Sequence, residues 1–231
     1  MEYNSGMSLV GLKYPELLAV ADDSGTLSVG GDQHWYPDEG FIPRGACGAT
    51  VASSAFAYLL RLRPRLYATA ESAGLCGLAP PLSITEPIKP STKTGYLGFM
   101  KQVYRFFYPR MGGLMADMFV EGAGGLVREY GLPIAAEFLK IPITRAKRPS
   151  FDEVSAFIKT SLEVGAPAAF LILSNGCVEN LDTWHWVTIL GIDEDAGAIE
   201  LADNREVMQA RLDTWLDTSI MGGALVRIIE N

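Results

Sequence analysis

The sequence is poor in cysteine and histidine. Its three cysteines, Cys47, Cys76 and Cys177, cannot all pair, and none lies in a Cys-x-x-Cys motif. Such sparse, odd-numbered cysteines argue against a disulfide scaffold and are typical of a reducing compartment. The two histidines, His34 and His185, show no zinc-ligand spacing with these cysteines. We therefore expect neither a metal nor any other cofactor.

An excess of basic residues and a long apolar run are also missing. Lys and Arg number 19 against 27 Asp and Glu, so the formal net charge is −8, and nucleic acid is not expected as a partner. The longest apolar stretch, residues 166–173, is eight residues long, far too short for a bilayer span. Residues 1–9 lack the basic start and apolar run of a signal peptide. These absences predict a cytoplasmic protein without a membrane span, and they leave its oligomeric state open.

The sequence does contain enough apolar material for a full core. It has 231 residues, of which 48% are hydrophobic and 10% aromatic. A chain of this length buries roughly 70% of the surface that the unfolded chain exposes, so it needs no disulfide or metal to fold. No internal repeat and no clean linker divides it. We predict a single domain over residues 1–231.

Predicted helices dominate the first half of the chain and predicted strands the second. Residues 46–62 are apolar on nearly every side and predict a buried central helix that ends before Pro64, with the basic run 61–65 as its solvated end. The other predicted elements are helices at 95–108, 113–130 and 208–217, a helix that begins with the capping box Ser150 and Glu153, and strands at 134–141, 168–173, 186–192, 198–202 and 224–229. A mainly helical half over 1–149 and a mainly β half over 150–231 predict an α+β fold with an antiparallel sheet.

Cys47 lies in a run of small residues, Gly45–Ala46–Cys47–Gly48–Ala49, that leads into the central helix. A thiol at a helix N-terminus faces unpaired N–H groups and the positive end of the helix dipole, which favour the thiolate. The flanking glycines allow another chain to approach the sulfur closely. The alternative is a buried cysteine that packs as a small apolar side chain, the commoner fate of this residue type.

His185 and Asp203 are the residues that could assist such a thiol. His185 opens a predicted strand, and Asp203 ends the strand that follows it. A hairpin turning at residues 193–197 brings Asp203 back beside the start of its partner strand, where a carboxylate can orient and stabilise an imidazolium. Taken singly, each residue also has an ordinary structural interpretation: a histidine at the edge of an apolar face and an aspartate in a turn.

These segments together carry a resemblance to a known family. The Gly-Ala-Cys-Gly sequence that opens a helix, the strand His185–Trp186–Val187–Thr188–Ile189–Leu190–Gly191–Ile192–Asp193 and the later Asp203 resemble the papain-like cysteine peptidases. The similarity is greatest to the bacterial branch that includes the double-glycine leader peptidases, and it covers roughly residues 31–60 and 150–229. It implies a nucleophile-bearing central helix packed on an antiparallel sheet. It also implies Cys47 as nucleophile, His185 as base and Asp203 as the residue that orients the base.

The sequence departs from the family at the glutamine that helps to hold the oxyanion. The family places this glutamine about six residues before the cysteine, where this sequence has Phe41. The nearest glutamine is Gln33, fourteen residues upstream of Cys47. A longer loop through Pro37, Gly40 and Pro43 would return it to the site. The oxyanion would then meet the Cys47 backbone N–H and the Gln33 amide.

Residues beside these positions are candidates for the substrate cleft. His34 and Trp35 follow Gln33, Trp184 and Trp186 flank His185, and Asn204 follows Asp203. One of the two tryptophans could shield the His185–Asp203 bond from water, although a half-buried tryptophan is common in any core.

The leading hypothesis is a thiol hydrolase that cleaves peptide or amide bonds through an acyl-enzyme. Its partner would be a peptide or protein substrate. The same residues would serve a related acyltransferase, in which an amine replaces water. The third hypothesis is a binding or scaffold module of the same fold with a degenerate site, which the phenylalanine at position 41 favours.

Overall fold

The fold is built on a seven-stranded sheet. Six strands lie in the order β5-β10-β6-β7-β8-β9, every neighbouring pair is antiparallel, and β1 pairs with the far end of β7. A computed structural model describes residues 9–38, 45–109 and 113–230. The strands in these ranges are β1 (Leu9–Gly11), β2 (Ala19–Ala21), β3 (Leu27–Val29), β4 (Ser91–Thr92), β5 (Ile134–Ile141), β6 (Ala168–Ile172), β7 (His185–Asp193), β8 (Ala198–Asp203), β9 (Glu206–Arg211) and β10 (Gly223–Glu230).

Six α-helices accompany these strands in the described residues. They are α1 (Cys47–Leu62), α2 (Pro64–Ser72), α3 (Lys93–Tyr104), α4 (Ala116–Tyr130), α5 (Phe151–Glu163) and α6 (Leu212–Thr218). A second, small sheet has the order β3-β2-β4. The predicted α+β class with an antiparallel sheet is confirmed. None of the helices in the described ranges is long and apolar enough to cross a membrane.

The centre of the main sheet is buried on both faces, whereas the edge strand β9 is mostly exposed. Along β6, Ala169 and Leu171 point to the core beneath α1, whereas Phe170 and Ile172 point to the core beneath α5 and α6, as the two-residue period of a strand requires. Every residue of β7 is buried. Each large apolar side chain buried in this way contributes about 1.5–3 kcal/mol.

Helix α1 is the buried central helix that the sequence predicts. Its Ala-rich and Ser-rich surface lets β7 and α3 pack close to its axis. The hydroxyls of Ser53 and Ser54 donate to the carbonyls of Ala49 and Thr50, so these buried polar groups are satisfied within the helix. The helix can therefore be buried on all sides without leaving these hydroxyl donors unpaired.

The prediction that residues 61–65 form a solvated helix end is wrong for Arg61. This side chain is only 1% exposed. Its guanidinium donates to the backbone carbonyls of Leu17, Pro80 and Lys89. Because five N–H donors in a planar fork can satisfy several carbonyls at once, one arginine fixes the proline-rich connector after α2 against the end of α1.

The prediction of a helix over residues 208–217 is also wrong for residues 208–211. Residues 206–211 form β9, which pairs with β8 in the register Asp203↔Glu206 to Ala198↔Arg211, and α6 starts only at Leu212. A two-residue turn at Asn204 and Arg205, both with positive φ, reverses the chain directly. Pairing with β8 then outweighs the local helix propensity of residues 208–211.

Candidate active site

Four separate segments meet at one small cavity. It is lined by Gln33 from the loop after β3, Cys47 from the start of α1, His185 from the start of β7, and Asp203 with Asn204 from the end of β8. The cavity has a volume of about 20 Å³, which is room for about one water molecule. The structure thus brings together the residues that the sequence predicts to act together.

Cys47 is the first residue of α1. Ala46 at the N-cap has no side-chain acceptor, and the first N–H groups of a helix carry a partial positive charge. A Cβ on Gly48 would lie 2.5 Å from Leu114 Cδ2 and 3.2 Å from Trp186 Cδ1, so glycine permits the close packing of this helix end. Cys47 is half-buried, whereas Cys76 and Cys177 are exposed, and all three are free thiols.

His185 and Asp203 form a close pair. The distance between His185 Nε2 and Asp203 Oδ1 is 2.7 Å, and the side chains are only 9% and 13% exposed. Pairing of β7 with β8, with Thr188 opposite Ala202, places the end of β8 beside the start of β7. Because Nε2 is engaged by the carboxylate, Nδ1 is the ring nitrogen that remains for the thiol.

The electrostatic environment of His185 favours the imidazolium. Burial by itself lowers the pKa of this residue, but hydrogen bonds to Asp203 and to Cys47 outweigh it and raise the pKa from 6.5 to about 10. A carboxylate partner favours the charged form of an imidazole. The partners of His185 in the site thus favour the imidazolium over the neutral imidazole.

Gln33 reaches the same cavity, although position 41 lies outside the described residues. It begins a short 3-10 helix, Gln33–Trp35, and its Oε1 atom is buried without a hydrogen-bond partner in the described part of the chain. Buried amide oxygens are normally paired; this oxygen can only accept a hydrogen bond, so Gln33 would donate to a group in the cavity through its Nε2 amide group.

Solved structures of peptidases are similar to this chain. The peptidase domain of Streptococcus ComA, a bifunctional ABC transporter involved in a quorum sensing pathway, is 12% identical, with 82% of this chain and 95% of that chain covered and a TM-score of 0.40. A double glycine motif protease from an AMS/PCAT transporter, in complex with the leader peptide, is 13% identical, with 57% and 71% covered and a TM-score of 0.33. The fold neighbours are papain-like.

A third similar structure is UfSP from C. elegans. It is 9% identical, with a TM-score of 0.48, and the alignment covers 99% of this chain but 35% of that chain. No protein-family model and no curated protein matches the sequence.

The predicted cleft residues occupy different environments. Trp184 is 55% exposed and has a φ of 55°. Asn204 lines the cavity. Trp35 is half-buried beside the cavity loop, with the Lys93 ammonium 5.1 Å from its ring centre. The side chain of His34 is 65% exposed, and its Nδ1 lies 2.8 Å from Asp32 Oδ1.

Trp186 is a buried residue that both lines the cavity and packs in the core. It is 2% exposed, its ring packs against Phe119 at a centroid distance of 4.9 Å, and its indole N–H donates to the carbonyl of Leu114 at 2.8 Å. Trp186 follows His185 directly on β7, so the two side chains point to opposite faces of the sheet. The side chain of Trp186 packs in the core around α1. Its side chain therefore closes the cavity on the side of the core.

Sequence reasoning missed three charged residues around the site. Asp32, which precedes Gln33, and Arg205, which follows Asn204, form an ion pair beside it. The exposed Asp182 has a carboxylate oxygen within 4.8 Å of ligand atoms of both His185 and Asp203. Asp182, His185 and Asp203 offer ligand atoms to a cation, but the His185–Asp203 hydrogen bond already accounts for the closeness of two of them. Asp182 lies three residues before His185 in the sequence, which is the one signal that could have drawn attention to it.

Proposed function

We propose that the protein is a thiol hydrolase that cleaves peptide or amide bonds, with Cys47 as nucleophile, His185 as acid and base, and Asp203 as the orienting residue. The observation that carries this proposal is one small cavity lined by Cys47, at the head of α1, and by His185 and Asp203, with His185 Nε2 2.7 Å from Asp203 Oδ1. A nucleophile next to a base that is itself oriented by a third group is the arrangement that nucleophilic catalysis requires.

The first half of the reaction forms an acyl-enzyme. The Cys47 thiolate attacks the carbonyl carbon of the substrate, and the carbonyl electron pair moves to oxygen. The Cys47 backbone N–H and the Gln33 amide donate hydrogen bonds to that oxyanion. As the carbonyl re-forms, the C–N bond breaks, and the His185 imidazolium gives its proton to the leaving amine.

The second half releases the acid. Neutral His185 takes a proton from a water molecule, and the resulting hydroxide attacks the thioester carbonyl. The C–S bond breaks, the thiolate re-forms, and the imidazolium is restored beside it. The residues come from both the helical and the β halves, so in this proposal residues 1–231 act as one domain on a peptide or protein substrate.

The test is hydrolysis of a library of fluorogenic peptides by the wild type and by Cys47→Ala. We expect Cys47→Ala to lower the rate by at least about 1,000-fold, because it removes the nucleophile, while the far-UV circular dichroism spectrum stays unchanged. The matched control is Cys177→Ala, which removes an exposed free thiol outside the cavity and should keep the rate within about twofold.

The outcomes separate the three hypotheses. Hydrolysis that survives in Cys47→Ala contradicts the proposal. Transfer of the acyl group to an added amine in preference to water would identify an acyltransferase that uses the same residues. A wild type that hydrolyses no peptide and whose Cys47 is not labelled by an active-site-directed epoxide would be a binding module.

A further inference from the structure

The hairpin turn that follows Asp203 has an arginine, Arg205, at a position with positive φ. Asn204 and Arg205 have φ values of 42° and 80°, and together they form the two-residue connection between β8 and β9. Turns of this kind favour glycine, above all at the second position. A non-glycine residue with left-handed backbone costs about 1–2 kcal/mol.

The Arg205 side chain forms an ion pair with Asp32, in the loop after β3. Arg205 Nε lies 3.1 Å from Asp32 Oδ2, and the Asp32 side chain is 8% exposed. The other oxygen, Asp32 Oδ1, accepts the backbone N–H of His34 at 2.8 Å and lies 2.8 Å from the His34 ring nitrogen Nδ1. Both oxygens of this buried carboxylate are therefore engaged, but the Arg205 side chain is 52% exposed, so the ion pair is partly solvated and contributes little to stability.

A backbone hydrogen bond also joins the β8–β9 turn to the segment that leads into the Gln33 loop. The N–H of Val29, at the end of β3, donates to the carbonyl of Arg205 at 3.2 Å. Asp32 directly precedes Gln33 and caps the 3-10 helix that begins there. Arg205 lies two residues after Asp203. The ion pair thus joins the loop that carries the proposed oxyanion donor to the turn that follows the proposed orienting carboxylate.

We propose that Asp32 and Arg205 are positioning residues that hold the Gln33 amide in place relative to the Cys47–His185–Asp203 cluster. The inference rests on the proposed hydrolase chemistry, in which Gln33 donates to the oxyanion. Both residues act through their neighbours: Asp32 fixes the start of the Gln33 helix, and Arg205 anchors Asp32 to the β8–β9 turn. A displacement of a catalytic group by about 1 Å can cost about 100-fold in rate, so such an anchor has a measurable effect.

The decisive variant is Arg205→Gly, because glycine suits the backbone of this turn better than arginine does. We expect its thermal midpoint to equal or exceed that of the wild type, since relief of backbone strain offsets the lost ion pair. We expect kcat to fall by about 10–100-fold with little change in KM, because the oxyanion exists only in the tetrahedral states. A fall in activity in a protein that has not lost stability cannot be attributed to unfolding.

Two inhibitors distinguish the oxyanion donor from the nucleophile. A peptide aldehyde forms a tetrahedral adduct that needs the donor, so its affinity should fall in Arg205→Gly by about the same factor as kcat. Iodoacetamide alkylates the sulfur by direct displacement without an oxyanion, so the alkylation rate of Cys47 should stay within about twofold of wild type. Asp32→Asn should reproduce this pattern, and the double variant should be no worse than the single ones.

The control is Arg145→Gly, which breaks an exposed ion pair of Arg145 with Asp217 outside the cavity and should leave kcat and aldehyde affinity unchanged. The proposal is overturned if Arg205→Gly retains the wild-type kcat, if only KM rises, as expected of a direct substrate contact, or if alkylation of Cys47 is lost together with hydrolysis. The function itself fails if Cys47→Ala remains active or if the wild type hydrolyses no peptide. This inference fails separately, when the wild type is active, Cys47→Ala is inactive and Arg205→Gly keeps the wild-type kcat.

Discussion

At the scale of one residue, burial of His185 and its partners in the site have opposite effects on its pKa. Burial favours neutral imidazole, while Asp203 and Cys47 favour the imidazolium and raise the pKa to about 10. The folded-state pKa is thus above the unfolded value of about 6.5. The free energy of unfolding gains the full contribution of this pair below about pH 6.5 and loses it as the pH rises through about 10.

The variant Asp203→Asn tests this linkage. It removes the carboxylate that stabilises the imidazolium, so we expect it to lower the free energy of unfolding more at pH 6 than at pH 10. Urea unfolding of the wild type and the variant at pH 6, 8 and 10 measures the difference. Asp217→Asn is the control, because it removes an exposed carboxylate whose partner is Arg145 rather than a histidine. A destabilisation by Asp203→Asn that is the same at all three pH values would contradict the account.

The residues of the site differ in how far sequence alone could find them. Cys47, His185 and Asp203 could be named because helix N-termini and hairpin topology place them predictably. The role of Arg205 could not, because its partner Asp32 is distant in sequence and the pairing depends on where the β8–β9 turn meets the loop after β3. The burial of Arg61 was hidden for the same reason, since its carbonyl acceptors come from three distant segments.

At the scale of elements, the fit between α3 and the connector before it depends on two glycines. A Cβ on Gly95, in the first turn of α3, would lie 2.6 Å from the backbone oxygen of Gly77. A Cβ on Gly98, three residues further along the same helix, would meet nothing within 4 Å. The two positions therefore separate the intrinsic cost of glycine in a helix from the need for close approach.

We expect opposite effects on stability from alanine at these two positions. Gly98→Ala should raise the free energy of unfolding by up to about 1 kcal/mol, because alanine is the better helix former. Gly95→Ala should lower it by about 1–3 kcal/mol, because the backbone of the connector has to move. Thermal or urea unfolding of both variants measures this. A shift of the same sign in both would mean that the contact between Gly95 and Gly77 is not tight.

Element prediction succeeded where a local pattern matched the final environment. The buried helix α1 and the capping box of α5, with Ser150 and Glu153, were visible in the sequence. Strand β9 was not, because residues 206–211 become a strand only by pairing with β8 across the turn at Asn204 and Arg205. Long-range pairing, rather than local propensity, decides such segments.

At the scale of the whole molecule, the proposed site exists only when the chain is folded. Gln33 and Cys47 come from the first quarter of the sequence, and His185 and Asp203 from the last. The packing of α1 against β7 brings the thiol to the imidazole. The reactivity of Cys47 therefore reports on the entire architecture, and the other two cysteines provide internal references.

The most direct test of the account is the alkylation rate of each cysteine by iodoacetamide at pH 6, read by peptide mapping. An ordinary thiol with a pKa of about 8.5 is ionised to only about 0.3% at this pH. We predict that Cys47 reacts at least about tenfold faster than Cys76 and Cys177, although those two are the more exposed. This excess should disappear in His185→Ala and in urea. A wild-type Cys47 that reacts no faster than the other two would contradict the proposed thiolate–imidazolium pair.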